Sequence, residues 1–351
     1  MPSLTTEEGH LRGTNHINTL KTIKNARKEK EKREKRKDAK KLAKSLKKNN
    51  ETVNNDENLL VGKVARVYIN SCLVLYGNQY HNIFLLPENR VTVGDNILLD
   101  ESMNIKSVLP RYNVFNRKAI TGSAKAESQI LASNVDYVAI YLPCKNPDIN
   151  YQMMDKMLFA AFSNNLKAIL ILNKEDMLSP EERQNILKSL ETYRDNIYKV
   201  FFISARNSTG IDELKKTIKD KITLLIGISG AGKSTFTNLM CPSINLETKE
   251  VDQKSGRGKH TTTYSTLIAL PDGGFIIDTP GIQTFDIFNG SKETLNYYLK
   301  DIDKLSQDCK FNNCTHIAED ECVCAIKQAL KNETLNPLTY DRYLNLRRIC
   351  Q

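Results

Sequence analysis

From residue 59 to about 110 the apolar positions fall in short runs, VGKVARVYI, SCLVLYG and HNIFLLP, interrupted by turns containing Asn, Gly or Pro. Runs of this length with turn signals between them predict several short strands in a small barrel, and VGDNILL at residues 93–99 resembles the strand pair that closes an OB-fold. After residue 135 the texture changes. Apolar runs DYVAIYL, KAILIL, YKVFFI and KITLLIG alternate with amphipathic segments of helical period. Near-continuous apolar strands between helices predict a parallel sheet covered on both faces. Each of these strands ends in a polar motif, at the edge where open α/β sheets bind ligands.

Beyond residue 290 the pattern is helical and interrupted by clustered cysteines. The reading is therefore a multidomain α/β chain: a tail at 1–58, an N-terminal OB-fold β-barrel at 59–112, an α/β domain at 113–290 and a helical C-terminal domain at 291–351. The longest apolar stretches, 136–144 and 222–228, are far shorter than the ~20 residues that cross a bilayer, and the polar N-terminus carries no signal-peptide core. A cytoplasmic protein that does not span a membrane is expected.

Charge sharpens the picture of the tail. The chain has 51 Lys and Arg against 41 Asp and Glu, and residues 21–48 alone hold 15 against four, more than the whole excess of ten. With few apolar residues, this segment cannot bury a core of its own. It suits a solvated, partly helical arm that grips phosphate backbones without reading sequence.

The strongest chemical signal is Gly227-Ile228-Ser229-Gly230-Ala231-Gly232-Lys233-Ser234, which fits G-x-x-x-x-G-K-[ST] and follows a strand read at 222–226. The glycines let backbone N–H groups turn inward around phosphates, and the helix starting near Gly232 and running through Thr235 adds its positive end. Lys233 can bridge the β- and γ-phosphates, while the Ser234 hydroxyl can ligate Mg²⁺.

Base choice is read at Asn173-Lys174-Glu175-Asp176, which ends the strand at 167–172. Asp176 can accept both the N1–H and the exocyclic amine of guanine, a donor pair that adenine lacks, while the Lys174 stem packs on the base. Asn173 would tie this loop to the phosphate loop. Ser204-Ala205-Arg206, ending the strand at 199–203, looks like the loop that supports guanine from its other side. Asp278-Thr279-Pro280-Gly281 follows a strand at 274–277, so Asp278 faces Mg²⁺ and the Gly281 N–H faces the γ-phosphate. Between these motifs, GRGKHTTT leads into a strand at 264–270. A Thr there, taken as Thr262, completes the Mg²⁺ shell when γ-phosphate is present, which makes residues 253–263 a switch segment. Residue 282, where many GTPases carry a water-orienting Gln, is Ile282, and His260 is the nearest candidate for that catalytic role.

Ordinary GTPases begin with the phosphate loop and end with N-K-x-D and S-A. Here the order is NKED, SAR, GISGAGKS, HTTT, DTPG. The 113–290 domain therefore looks like a circularly permuted P-loop GTPase, a rearrangement that a sheet with neighbouring surface ends tolerates.

Cys309, Cys314, Cys322 and Cys324 crowd around His316, with metal-ligand spacing. Three thiolates and one imidazole would make a closed, structural Zn²⁺ site, and five candidate ligands compete for four places. Cys72, Cys144 and Cys241 read as reduced core thiols, and Cys350 as a reduced thiol.

The combination of an OB-like barrel, permuted motifs with GKHTTT and DTPG, and C-x4-C-x-H followed by a further Cys resembles the ribosome small-subunit-dependent GTPases, also called small ribosomal subunit biogenesis GTPases, over roughly 59–350. The resemblance implies GTP hydrolysis stimulated by the 30S subunit in its late maturation, with GTP/GDP, Mg²⁺ and one Zn²⁺ as ligands, and the small subunit and rRNA as partners of a monomer. The family places its last zinc ligand where Cys322 stands, yet Cys324-Ala-Ile-Lys resembles the family's helix start. Cys324 is favoured and Cys322 is the alternative. A reading from another class, an rRNA-binding assembly protein that uses GTP only as a structural ligand, differs in having no turnover; a P-loop ATPase or kinase conflicts with NKED.

Overall fold

In the computed structural model, which describes residues 59–118, 128–228, 230–242, 265–279 and 292–350, the first apolar runs become five strands. They are β1 (Leu60–Val67), β2 (Ser71–Tyr76), β3 (Gln79–Phe84), β4 (Asn96–Leu99) and β5 (Ile105–Val108). Their order is β3-β2-β1-β4-β5 with every neighbouring pair antiparallel, an arrangement consistent with an OB-like domain. Alternate residues Val64, Cys72, Val74, Ile83, Ile97 and Leu99 form its buried core. All the elements belong to the unit Leu60–Gln351.

A hairpin that the pattern did not announce follows, β6 (Val114–Lys118) against β7 (Ser128–Ser133). It is tied to the five-stranded sheet by Asp95, which is fully buried. The Asp95 carboxylate accepts from Nε and Nη2 of Arg111, each at 2.7 Å, from Ser133 Oγ at 2.6 Å and from the Thr92 N–H at 2.7 Å. A buried carboxylate with four donors, two of them on one planar guanidinium, is satisfied and holds one geometry.

The central sheet comprises β8 (Tyr137–Pro143), β9 (Lys167–Asn173), β10 (Lys199–Ile203), β11 (Ile222–Gly227), β12 (Thr266–Ala269) and β13 (Phe275–Asp278), in the order β10-β9-β8-β11-β13-β12. Five strands are parallel, as the sequence reading expected, while β12 runs antiparallel along the edge. The continuous apolar character of β8 has a simple cause: Val138, Ile140 and Leu142 enter one core, Ala139 and Tyr141 the other.

Helix α1 (Tyr151–Ser163) covers the first face with Met154, Met157, Leu158 and Ala161, and starts where the Asn150 side chain accepts from Met153 N–H. Helix α2 (Pro180–Leu190) opens with a capping box between Ser179 and Glu182. The second face is covered by α3 (Ile211–Ile218) and α4 (Lys233–Met240), through Leu214, Ile218, Phe236 and Met240. The chain then runs through α5 (Lys292–Tyr298), α6 (Lys300–Ser306), α7 (Ala325–Lys331) and α8 (Pro337–Arg347), whose buried residues join the core of the first face. Cys72, Cys144 and Cys241 are core residues as expected, and Cys350 is buried too. Among the described residues no helix is long and apolar enough to cross a membrane.

Candidate nucleotide site and metal centre

Because β8, β9, β10, β11 and β13 are parallel, their carboxyl ends lie along one edge, where Asn173 to Asp176, Ser204 to Arg206, the phosphate loop and Asp278 follow their strands. At the end of β11, Gly227 backs onto β8 so closely that a Cβ would stand 2.3 Å from the Tyr141 carbonyl oxygen, so no larger residue fits. Gly232 has φ of 93° and opens α4 without any side-chain cap, which leaves the first turn's N–H groups for a ligand.

Lys233 is buried and donates its Nζ to the carbonyls of Gly227 at 2.9 Å and Ile228 at 2.8 Å. Loss of hydration pulls the ammonium below its ordinary pKa, against the opposing pull of Asp278. Asp278, at the end of β13, is buried as well, and burial pushes its carboxyl up to about 6 despite the nearby Lys233. Its Oδ1 has no hydrogen-bond partner among the described residues. Buried acceptors are ordinarily paired. An unpaired carboxylate oxygen beside a phosphate loop and the half-buried Ser234 fits a divalent cation. The following Thr279 donates its hydroxyl to the Leu225 carbonyl at 2.8 Å, fixing the end of β13 against β11.

Asn173 joins the two halves of the site. Its Oδ1 accepts the Ala205 N–H at 2.9 Å, and its Nδ2 donates to the Ala231 carbonyl at 3.4 Å. The loop after β9, the loop after β10 and the phosphate loop are thus linked by one side chain. Ser204 steadies the loop after β10: its Oγ accepts the Asn207 N–H at 3.2 Å, and its backbone pairs with Thr209. Lys174 adopts a left-handed φ of 69° and donates its Nζ to the Asn146 carbonyl. Asp176 lies exposed in the 3-10 turn Glu175–Met177, whose other carboxylate, Glu175, is held by Arg183 at 3.0 Å. Ile228 is half-buried, and Gly230 and Thr235 are exposed.

The basic tail, Ser229, the segment 253–263 with His260 and Thr262, and Gly281 lie outside the described residues.

In the C-terminal region the ligand atoms of Cys309, Cys314, His316 and Cys324 all lie within 4.8 Å of one another. His316 Nδ1 is 3.6 Å from the Cys309 sulfur and 3.5 Å from that of Cys324. A tetrahedral zinc with Zn–S of about 2.3 Å and Zn–N of about 2.0–2.1 Å needs ligand separations near these. Cys324 is buried at the start of α7, whereas Cys322 is exposed and stands outside the group. Burial holds His316 below its ordinary pKa and so in the neutral form that ligates metals. Its carbonyl accepts from Tyr340 Oη at 2.6 Å, and its ring packs against Tyr343. Glu319 braces the loop by accepting from Thr315 N–H, Thr315 Oγ1 and Ile317 N–H at 2.6, 2.8 and 3.1 Å, contacts that hold its carboxyl down to about 2.

Three features escaped the sequence reading. Thr279 stood inside a recognised motif, so its bond to Leu225 was findable there. The Asn146 carbonyl that receives Lys174 and the Tyr141 hydroxyl beneath the phosphate loop carried no signal in the pattern.

A family model described as RsgA GTPase matches residues 108–288. The small ribosomal subunit biogenesis GTPase RsgA of Flavobacterium psychrophilum is 36% identical over 265 residues, covering 74% of this chain and 80% of its own. Its namesake in Clostridium perfringens is 39% identical over 212 residues, covering 60% and 72%. Among solved structures, YjeQ from Thermotoga maritima superposes with a TM-score of 0.63 at 25% identity, covering 83% of this chain and 98% of that one. YloQ, described as a circularly permuted GTPase, gives 0.59 at 23% identity, with coverage of 83% and 95%.

Proposed function

This chain belongs to the RsgA GTPase family and is a GTP hydrolase with circularly permuted motifs, and from that premise we propose that it acts in late maturation of the small (30S) ribosomal subunit, which stimulates its turnover. The observation that carries the reading is Asn173, whose amide links the guanine-reading loops to the phosphate loop. Base recognition and phosphate positioning then belong to one rigid unit.

In this mechanism Asp176 accepts the N1–H and exocyclic amine of guanine, and Lys174 and Ala205 flank the base. Lys233 leaves the carbonyls of Gly227 and Ile228 for the β- and γ-phosphate oxygens, an exchange favoured because a dianionic acceptor is far better than two neutral ones. Ser234, Thr262 and Asp278 would hold Mg²⁺, which when bound neutralises charge on the β- and γ-oxygens. The Gly281 N–H meets the γ-phosphate, and His260 orients the attacking water, a role that Ile282 cannot fill.

Cys309, Cys314, His316 and Cys324 would hold a structural zinc, which when bound would fix the 291–351 domain. The 59–112 domain, closed as an OB barrel, and the basic tail at 1–58 contact rRNA, and the 113–290 domain carries the catalysis. The protein works as a cytoplasmic monomer. Turnover of GTP measured with and without purified small subunits tests the reading.

A further inference from the structure

Tyr141 spans the underside of the phosphate loop. Its carbonyl abuts Gly227, the loop's first glycine, and its hydroxyl lies 3.8 Å from where a Cβ on Gly232, the last glycine, would stand; the Asn173 Nδ2 lies 3.1 Å from the same point. The side chain is fully buried, its ring 5.2 Å from that of Phe236 in α4. Its hydroxyl has no hydrogen-bond partner among the described residues. A buried hydroxyl without a partner is costly and uncommon. Burial raises its pKa strongly, so it stays protonated and remains a donor.

We propose that Tyr141 is a positioning residue for the nucleotide, its hydroxyl acquiring an acceptor on the 230–232 backbone or the Asn173 amide when the phosphate loop closes on a nucleoside di- or triphosphate. The inference rests on the nucleotide reading above. Binding then satisfies a donor that the free protein leaves unpaired, and the two ends of the loop are held from below by one ring.

The test compares the full chain with Tyr141→Phe, which keeps the ring and removes only the oxygen. Because no bond is lost in the free protein, its melting temperature should stay level or rise, whereas affinity for GDP and for a non-hydrolysable GTP analogue should fall about threefold to tenfold. KM for GTP should rise with kcat unchanged, the signature of a contact made equally in ground and transition states. Equal nucleotide affinity in the two proteins would overturn the inference, and so would a lower melting temperature of the free variant with the nucleotide-induced increment intact. Failure of the unsubstituted chain to bind GDP would instead remove the nucleotide reading itself, and this inference with it.

Discussion

Arg342, in α8, donates its Nε to Oδ1 of Asp155 in α1 at 2.8 Å, across 187 positions of sequence. Both side chains are almost wholly buried. The guanidinium also donates through Nη2 to Asn196 Oδ1 at 2.8 Å and to Tyr298 Oη at 3.2 Å, and through Nη1 to the Thr192 carbonyl, while its carbon sits 3.7 Å from the centre of the Tyr193 ring. Asp155 is completed by Tyr193 Oη at 3.3 Å. One cation thus ties α8 to α1, to the 192–196 segment and to Tyr298 at the end of α5.

Removing one partner of such a pair strands the other charge in the interior. Arg342→Ala should therefore lower unfolding free energy by about 3–5 kcal/mol in denaturant titration, and the double change Arg342→Met with Asp155→Leu should recover most of it. A loss below about 1 kcal/mol for the single change would mean that the network does not hold this interface.

In the proposed base recognition Asp176 accepts two guanine hydrogen bonds, and Asp176→Asn would put in its place an amide that can donate to the O2 of xanthine. Hydrogen bonds to a charged acceptor are worth about 1.5–3 kcal/mol each, so GTP affinity should fall more than tenfold while affinity for xanthosine triphosphate rises. Equilibrium binding of the two nucleotides to the variant checks both directions, and unchanged GTP affinity would detach this loop from base recognition.

Strands buried on both faces were the most readable part of the chain, because β8, β9, β10 and β11 have no polar face to confuse with a helix. The β6–β7 hairpin was not readable. Of its strands VFNRK and SQILAS, Phe115 and Ala132 are the buried apolar residues, too sparse a pattern to register as a period. Motif residues could be singled out in advance because phosphate and guanine chemistry restricts both residue type and spacing. Arg342 could not: a lone Arg in a helix reads as a solvated side chain until Asp155 is brought to it. Between Cys322 and Cys324 the sequence offered only the likeness of Cys324-Ala-Ile-Lys to a helix start, and the burial of Cys324 in the ligand group with Cys322 exposed outside it agrees with that preference.

That separation makes the metal prediction sharp. The full-length protein should carry one zinc per chain by metal analysis, Cys324→Ala should lose it, and Cys322→Ala should keep it. Loss of the metal should loosen the 291–351 region while GDP binding persists, because the core between the sheet and α3 and α4, on the face of the phosphate-loop helix, takes no residue from that region. Zinc retained in Cys324→Ala and lost in Cys322→Ala would reverse the assignment.

Residues 21–48 hold 15 Lys and Arg against four Asp and Glu. Each phosphate neutralised contributes up to ~0.9 to the slope of log affinity against log salt. Deleting residues 1–50 should weaken binding to small subunits and flatten that slope, with GTP affinity unaltered; titrations at several salt concentrations would show an unchanged slope if the tail makes no phosphate contacts.

The central claim is that GTP hydrolysis here answers to the small ribosomal subunit. Steady-state phosphate release from GTP, measured for the full chain alone and with purified 30S subunits, tests it most directly. The account predicts slow turnover alone, at least a tenfold rise in kcat with subunits, which is a barrier lowered by at least about 1.4 kcal/mol, and neither rate with Lys233→Ala. Turnover that is the same with and without subunits would contradict it.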